Sequence, residues 1–226
     1  MAAIRAARQL VVGLGNRGQE YARTRHNVGF RVVERLAAEE GASFSVNRYE
    51  AAAAMVEVEG VPVVLLKPQA FMNQSGPAVA AWLEGLGLPA SALILIHDDL
   101  DLPLGRLRVT GSAGSGGHRG VMSVQRVLGT QTFPRVRAGI GRPLASENAA
   151  EWVLEEFTPE ELPIASEMVS QAASAVKTLV VSGLVVAMDR YNGRGPLPTP
   201  LPAEGKITEQ RTAQPQSQEG HREEGR

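Results

Sequence analysis

The chain has 226 residues, of which 43% are hydrophobic, 21% charged and 4% aromatic, a composition that suits one medium-sized domain, or one domain with an appendage, and leaves little room for two. With no cysteine it can form no disulfide, thiol nucleophile or Cys-ligated metal centre, which fits a reducing compartment. The formal charge of −1 hides a segregation. Leu102 to Ser146 holds seven arginines and no acid, whereas Glu147 to Glu167 holds seven glutamates and no Lys or Arg.

In chain order, the stretch before Gly13 is too short for a secretory signal, and Gln9 to Leu14 reads as a buried strand. Thr24 then stands as the N-cap of a helix whose Val28, Val32 and Leu36 recur every fourth position before Gly41. Residues 51 to 58 and 61 to 66 form a strand pair that turns at Glu59-Gly60. Ser75 to Leu86 is helical, Ala92 to His97 is a strongly apolar strand, and Arg106 to Thr110 alternates like a half-exposed one. Residues 120 to 129 form a helix, Val136 to Ile140 a strand, and 147 to 156 and 159 to 190 helices. No apolar run reaches the roughly 18 residues of a membrane span, so a soluble, cytoplasmic protein is expected. From Gly193 onward, 34 residues hold five Pro, five Gly, five basic and five acidic residues, too few apolar groups to offset the cost of ordering. The expected organisation is an N-terminal extension over 1 to 8, one α/β domain over 9 to 192, and a disordered tail over 193 to 226. The domain is built on a twisted, mostly parallel mixed sheet flanked by helices, with one antiparallel excursion.

Ligands in such sheets bind beyond the carboxyl ends of the strands. Asn16 follows the first strand, Asn73 the third, and Asp98, Asp99 and Asp101 the fourth, while His26 lies in the first turn of the helix after strand one. A neutral imidazole there can take a proton from water, oriented by a carboxylate such as Asp98, with the amides of Asn16 and Asn73 placing a carbonyl or its oxyanion. Each residue also has a plainer use: His26 as a surface or capping residue, Asp98 closing a turn, Asn73 at a helix entry.

Further patterns stand out. Gly13-Leu14-Gly15-Asn16-Arg17-Gly18 matches a dinucleotide loop, yet the helix signal begins only near Thr24, so a nucleotide-dependent oxidoreductase rests on the glycines alone. The run HDDLD at 97 to 101 could hold a divalent ion, but successive residues at a strand end diverge, which favours hydrogen bonding. The glycine-rich loop Ser112 to Gly120 is flanked by Arg106, Arg108 and Arg126 and could cradle a phosphate, or be a simple connector. Because 20 of the 23 basic residues are Arg, the basic stretch is suited to phosphate, unless the following glutamates neutralise it in three dimensions.

The segments VVGLGNRGQEYARTRHNVGF, KPQAFMNQSGPAV, ILIHDDLDLPLGRLRV, GSAGSGGHRGV and PRVRAGIGRP, taken in order, resemble the bacterial-type peptidyl-tRNA hydrolases over about 9 to 192. The resemblance implies a monomeric α/β enzyme of translation and ribosome rescue that hydrolyses the ester between peptide and tRNA, with peptidyl-tRNA as its partner. It implies no metal, no organic cofactor, no membrane and no obligate protein partner. By the same resemblance His26 is the catalytic histidine and Asp98 its carboxylate, and Asn16 and Asn73 position substrate and water. Tyr21 and Met72 line the cleft, His118 lies in a gate over it, and Arg137, with Arg108 beside it, holds tRNA phosphate. Arg119 stands where most members carry a substrate-binding Asn, Arg17 replaces the Pro of a GNPG turn, and Thr110 replaces a lysine. The alternative is a catalytically idle relative that binds RNA in RNA processing.

Overall fold

The computed structural model describes residues 7–143 and 148–193. Seven strands form one sheet: β1 (Gln9–Gly13), β2 (Val46–Arg48), β3 (Ala51–Val58), β4 (Val61–Pro68), β5 (Leu93–Asp99), β6 (Leu107–Ser112) and β7 (Thr132–Gly139), in the order β2-β3-β4-β1-β5-β7-β6. The four central strands, β4, β1, β5 and β7, run parallel. Antiparallel strands close both edges, β3 and β2 on one side and β6 on the other. The expected single antiparallel excursion is therefore two. Apolar alternation gives no strand direction, and the Val-Asn-Arg of β2 is too short to show a period. The turn between β3 and β4 falls at the expected residues, with Glu59 at φ 47° and Gly60 at φ 82°, as a two-residue hairpin of matching twist requires.

Helices cover both faces. On one side lie α1 (Val28–Glu39) and the long α5 (Leu162–Tyr191); on the other lie α2 (Ser75–Leu86) and α3 (Arg119–Leu128), and a single turn, α4 (Ala149–Trp152), precedes α5. Strand β5, Leu-Ile-Leu-Ile-His-Asp-Asp, is buried along its whole length because both faces are covered. Ile94 and Ile96 join the core under α1 and α5, and Leu93 and Leu95 the core under α2 and α3. Val28, Val32 and Leu36 of α1 are fully buried, as their spacing predicts. The helix starts four residues after Thr24, however. A 3₁₀ turn, Arg25–Asn27, intervenes, and the Thr24 hydroxyl donates back to the Tyr21 carbonyl at 2.9 Å without capping the helix.

Among the described residues α5 is the one helix long and apolar enough to cross a membrane by length and composition. Here Met168, Ala172, Ala175, Val176 and Leu179 are buried in the sheet core, Ala165 is buried in a separate small cluster with Ile140 and Phe157, and Gly183, at φ 82° and ψ −179°, breaks the helix before its last turns. Just beyond it, the Asn192 side chain accepts from Val109 N–H at 2.7 Å and donates to Val109 C=O at 2.9 Å, satisfying backbone on the free edge of β6. Residues 1–6 of the expected extension and 194–226 of the expected tail lie outside the described residues. So do residues 144–147, at the start of the helix expected over 147 to 156.

Candidate active site

Because β1, β4, β5 and β7 run in one direction, the loops after them meet at one rim. A cleft of about 770 Å³ opens there, and Asn16, Asn73, Asp98 and Arg142, from these four strand ends, all line it. Its floor is set by backbone packed on backbone. A Cβ on Gly13 would lie 2.1 Å from the Gly29 carbonyl oxygen, and one on Gly29 would lie 2.4 and 2.6 Å from the carbonyl oxygens of Leu14 and Ile96. The start of α1 therefore rests directly on the ends of β1 and β5, which is the use this fold makes of the glycine pattern at 13 to 18. No α-helix opens on that loop to receive a dinucleotide: only a 3₁₀ turn, Gln19–Tyr21, follows it, and α1 begins at Val28.

That seat carries the 3₁₀ turn Arg25–Asn27 to Asp98. His26 Nδ1 lies 2.8 Å from Asp98 Oδ1, and His118 Nε2, just before α3, lies 2.9 Å from the same oxygen. The neighbours assign the protons. His118 Nδ1 accepts the N–H groups of Gly120 and Val121 at 3.1 and 3.3 Å, so its ring proton is on Nε2 and is donated to Asp98. Burial of Asp98, which is 3% exposed, favours the neutral acid, but the two histidines and their hydrogen bonds outweigh it and hold the carboxyl well below the ordinary carboxylate range. An ionised Asp98 can only accept, so His26 donates from Nδ1, which in the neutral ring leaves the lone pair on Nε2.

The same tautomers bear on a metal. His26, Asp98 and His118 bring their ligand atoms within 4.8 Å of one another, but an ion would need the lone pair of His118 Nε2, the atom that carries the proton here. The donor set fits a hydrogen-bond network better than a divalent ion.

Two neighbours in the HDDLD run have separate tasks. His97 donates from Nδ1 to the Asp98 backbone carbonyl at 2.7 Å, and its Nε2 is buried without a partner. Burial, reinforced by His118, pushes the His97 pKa down to about 3 and keeps the ring uncharged. Asp99, through Oδ1, accepts the Asp101 N–H at 2.9 Å, so the turn-closing use considered for Asp98 falls to its neighbour.

Asn16 and Asn73 both face the cleft. Asn73 sits in a 3₁₀ turn, Met72–Gln74, and caps nothing, since the residue preceding α2 is Gln74 and no side chain bonds there. The Asn16 backbone is gripped by Asn27: its N–H donates to Asn27 Oδ1 at 2.7 Å, and Asn27 Nδ2 donates to its carbonyl at 2.9 Å. Sequence reading missed Asn27, whose one visible signal is its place directly after His26. It also missed Phe71, an aromatic side chain 78% exposed on the cleft wall.

Met72 and His118 line the cleft as expected, with Met72 buried, and Arg119 lines it as an exposed side chain at the start of α3. Tyr21 does not. It is held in the turn Gln19–Tyr21, outside the lining residues. Arg137 lines the cleft, but its Nε donates to Asp99 Oδ2 at 2.5 Å. Arg108 is exposed opposite Arg137 on β6 and is not a lining residue. Arg135 is fully buried and donates to the carbonyls of Ala113, Gly114 and Gln131, tethering one end of the glycine-rich loop. Among the described residues no ion pair joins the basic stretch to the glutamate stretch. Arg137 and Arg142 pair with Asp99 and Asp101, whereas Glu156 and Glu161 pair with Arg23 and Arg25. Over the described residues the two stretches thus do not neutralise each other by contact.

The sequence profile of the peptidyl-tRNA hydrolase family matches residues 10–198. A peptidyl-tRNA hydrolase of Chloroflexus aggregans is 47% identical over 184 residues, 81% of this chain and 98% of its own. One of Mycobacterium ulcerans is also 47% identical over 184 residues, covering 81% of this chain and 96% of its own. Among solved structures, the peptidyl-tRNA hydrolase of Acinetobacter baumannii matches with a TM-score of 0.79 at 34% identity, over 84% of this chain and 96% of that one.

Proposed function

The chain belongs to the peptidyl-tRNA hydrolase family and is a hydrolase of peptidyl-tRNA, and we propose that within it His26 is the general base that activates water. The observation that carries this reading is the 2.8 Å contact between His26 Nδ1 and Asp98 Oδ1 in a cleft shared with Asn16 and Asn73. As water attacks the carbonyl carbon joining peptide to ribose, His26 Nε2 takes its proton. Asp98 balances the imidazolium that forms, and the proton passes to the departing ribose oxygen as the ester bond breaks. The side-chain amides of Asn16 and Asn73 hold the carbonyl and the attacking water, and donate to the oxyanion as charge grows on it.

On this reading Met72 packs against the acceptor end, His118 fixes Asp98 from the gate side, and Arg119 meets the substrate where most of the family carries Asn. Arg137 and Arg108, adjacent across β6 and β7, hold backbone phosphate. Tyr21 acts through the turn it anchors. The protein works in the cytoplasm as a monomer, with no cofactor.

The test is incubation of the full chain with peptidyl-tRNA in the presence of a chelator. Free peptide and intact tRNA are the expected products, whereas binding without release would assign the cleft to an idle RNA-binding relative. His26→Ala should lower turnover by about 10² to 10⁴ while tRNA affinity stays within a few fold. An equal loss of binding would make His26 structural.

A further inference from the structure

Arg25, one residue before the proposed base, takes no part in that chemistry, yet its side chain is only 1% exposed. Its Nη2 donates to Glu161 Oε2 at 2.7 Å, and the guanidinium lies 3.8 Å from the centre of the Trp152 ring and 4.8 Å from that of Phe157. Its Nε and Nη1 have no hydrogen-bond partner, so the group is committed to one ion pair and two aromatic faces. All three partners belong to the segment from α4 to the start of α5. The backbone joins the same two segments: Arg25 N–H donates to the Glu155 carbonyl at 2.9 Å and His26 N–H to the Val153 carbonyl at 2.8 Å. Trp152 Nε1 in turn donates to the Gly141 carbonyl at 3.0 Å, beyond the end of β7. Ala149, Ala150, Val153 and Leu154 of this segment form one wall of the cleft.

A buried guanidinium is a costly way to fill such a space, since apolar side chains of similar volume are often neutral or stabilising there. A planar cation stacked on one ring and paired at its edge does, however, fix angle as well as distance. We propose that Arg25 is a positioning residue: it locks the turn bearing His26 to the cleft wall 149–154, so that base and wall keep one geometry. This rests on His26 being the base.

The experiment compares the full chain with Arg25→Lys and Glu161→Gln, each at a temperature well below its own unfolding midpoint. Lysine keeps the charge and loses the planar stack, so kcat should fall about tenfold while KM for peptidyl-tRNA changes less than about threefold. Proton NMR should show faster exchange of the His26 backbone amide and broadening of its Nδ1–H signal, with the His97 Nδ1–H signal retained. Glu161→Gln, which keeps the stack, should shift the same signals in the same direction with a loss in kcat of about threefold, and it decides the matter if the lysine variant does not fold. Unchanged kcat and ring-proton signals with only a lowered midpoint would overturn the proposal, as would a kcat loss that disappears on cooling. Absence of turnover in the parent chain would instead sink the assignment of His26, while the two proton signals would still report on the Arg25 lock.

Discussion

Asp98→Asn separates the charge of the carboxylate from its shape. His118 must donate from Nε2, because its other nitrogen is occupied by two backbone N–H groups, so the new side chain keeps its oxygen toward both rings. The 2.8 and 2.9 Å hydrogen bonds survive, and with them the His26 tautomer. What is lost is the countercharge to the imidazolium that forms as water is deprotonated. Two unit charges about 4 Å apart interact by about 4 kcal/mol at an effective dielectric near 20. At 1.36 kcal/mol for each factor of ten, that is roughly a 10³-fold fall in rate. Asp98 is 3% exposed, so solvent screens little of it. Single-turnover release of peptide at saturating enzyme measures the effect, with tRNA affinity determined separately and expected within a few fold of the parent. A loss smaller than tenfold, or one matched by weaker binding, would refute the electrostatic role.

Arg137→Ala should weaken tRNA binding and reduce the slope of log K against log salt by about one phosphate contact, read from titrations at several ionic strengths; an unchanged slope removes Arg137 from the RNA interface. Since Arg137 Nε is held by Asp99 at 2.5 Å, substrate phosphate competes with that carboxylate, and Asp99→Asn should tighten binding by up to about fivefold. Weaker binding would mean that Asp99 aims the guanidinium. Stability should also depend on pH. His97 is pushed down to about 3 in the fold but takes a proton below about 6.5 once unfolded, so the unfolded chain binds more protons and stability drops as pH falls through that window. The loss at pH 5 is about 2 kcal/mol. Below about pH 4 the carboxyls of Asp98 and Glu161, both held below their ordinary values in the fold, add to the fall as they are protonated. Melting temperatures from pH 7 to 5 should slope for the parent and flatten for His97→Asn; an equal slope in both would acquit the buried ring.

Residues that reach the site through strand order were legible in the sequence. Asn16, Asn73 and Asp98 follow apolar runs, and once those runs are read as parallel strands they must meet at one rim, with His26 delivered there by the next helix. What was not legible depends on partners with no periodic signature. The Arg25–Glu161 pair is separated by 136 positions, and the Asn27 grip on Asn16 follows from a tight turn that no hydrophobic spacing marks. His118 appeared as a gate residue, since only coordinates reveal that it and His26 converge on a single oxygen. Tyr21 was placed by resemblance at the cleft, and here it stands outside its lining, whereas Arg108, read as a neighbour of Arg137, lies directly opposite it on β6.

The glycine pair beneath the base carries a lesson about divergence. With only main chain between Gly13 and Gly29, the gap from imidazole to carboxylate is gauged by peptide thickness and is deaf to changes in side-chain size. Mutational drift can therefore remodel the rim and its appetite for different peptides or nucleotides while the reactive pair keeps its spacing. A single methyl at either glycine would prise the two apart.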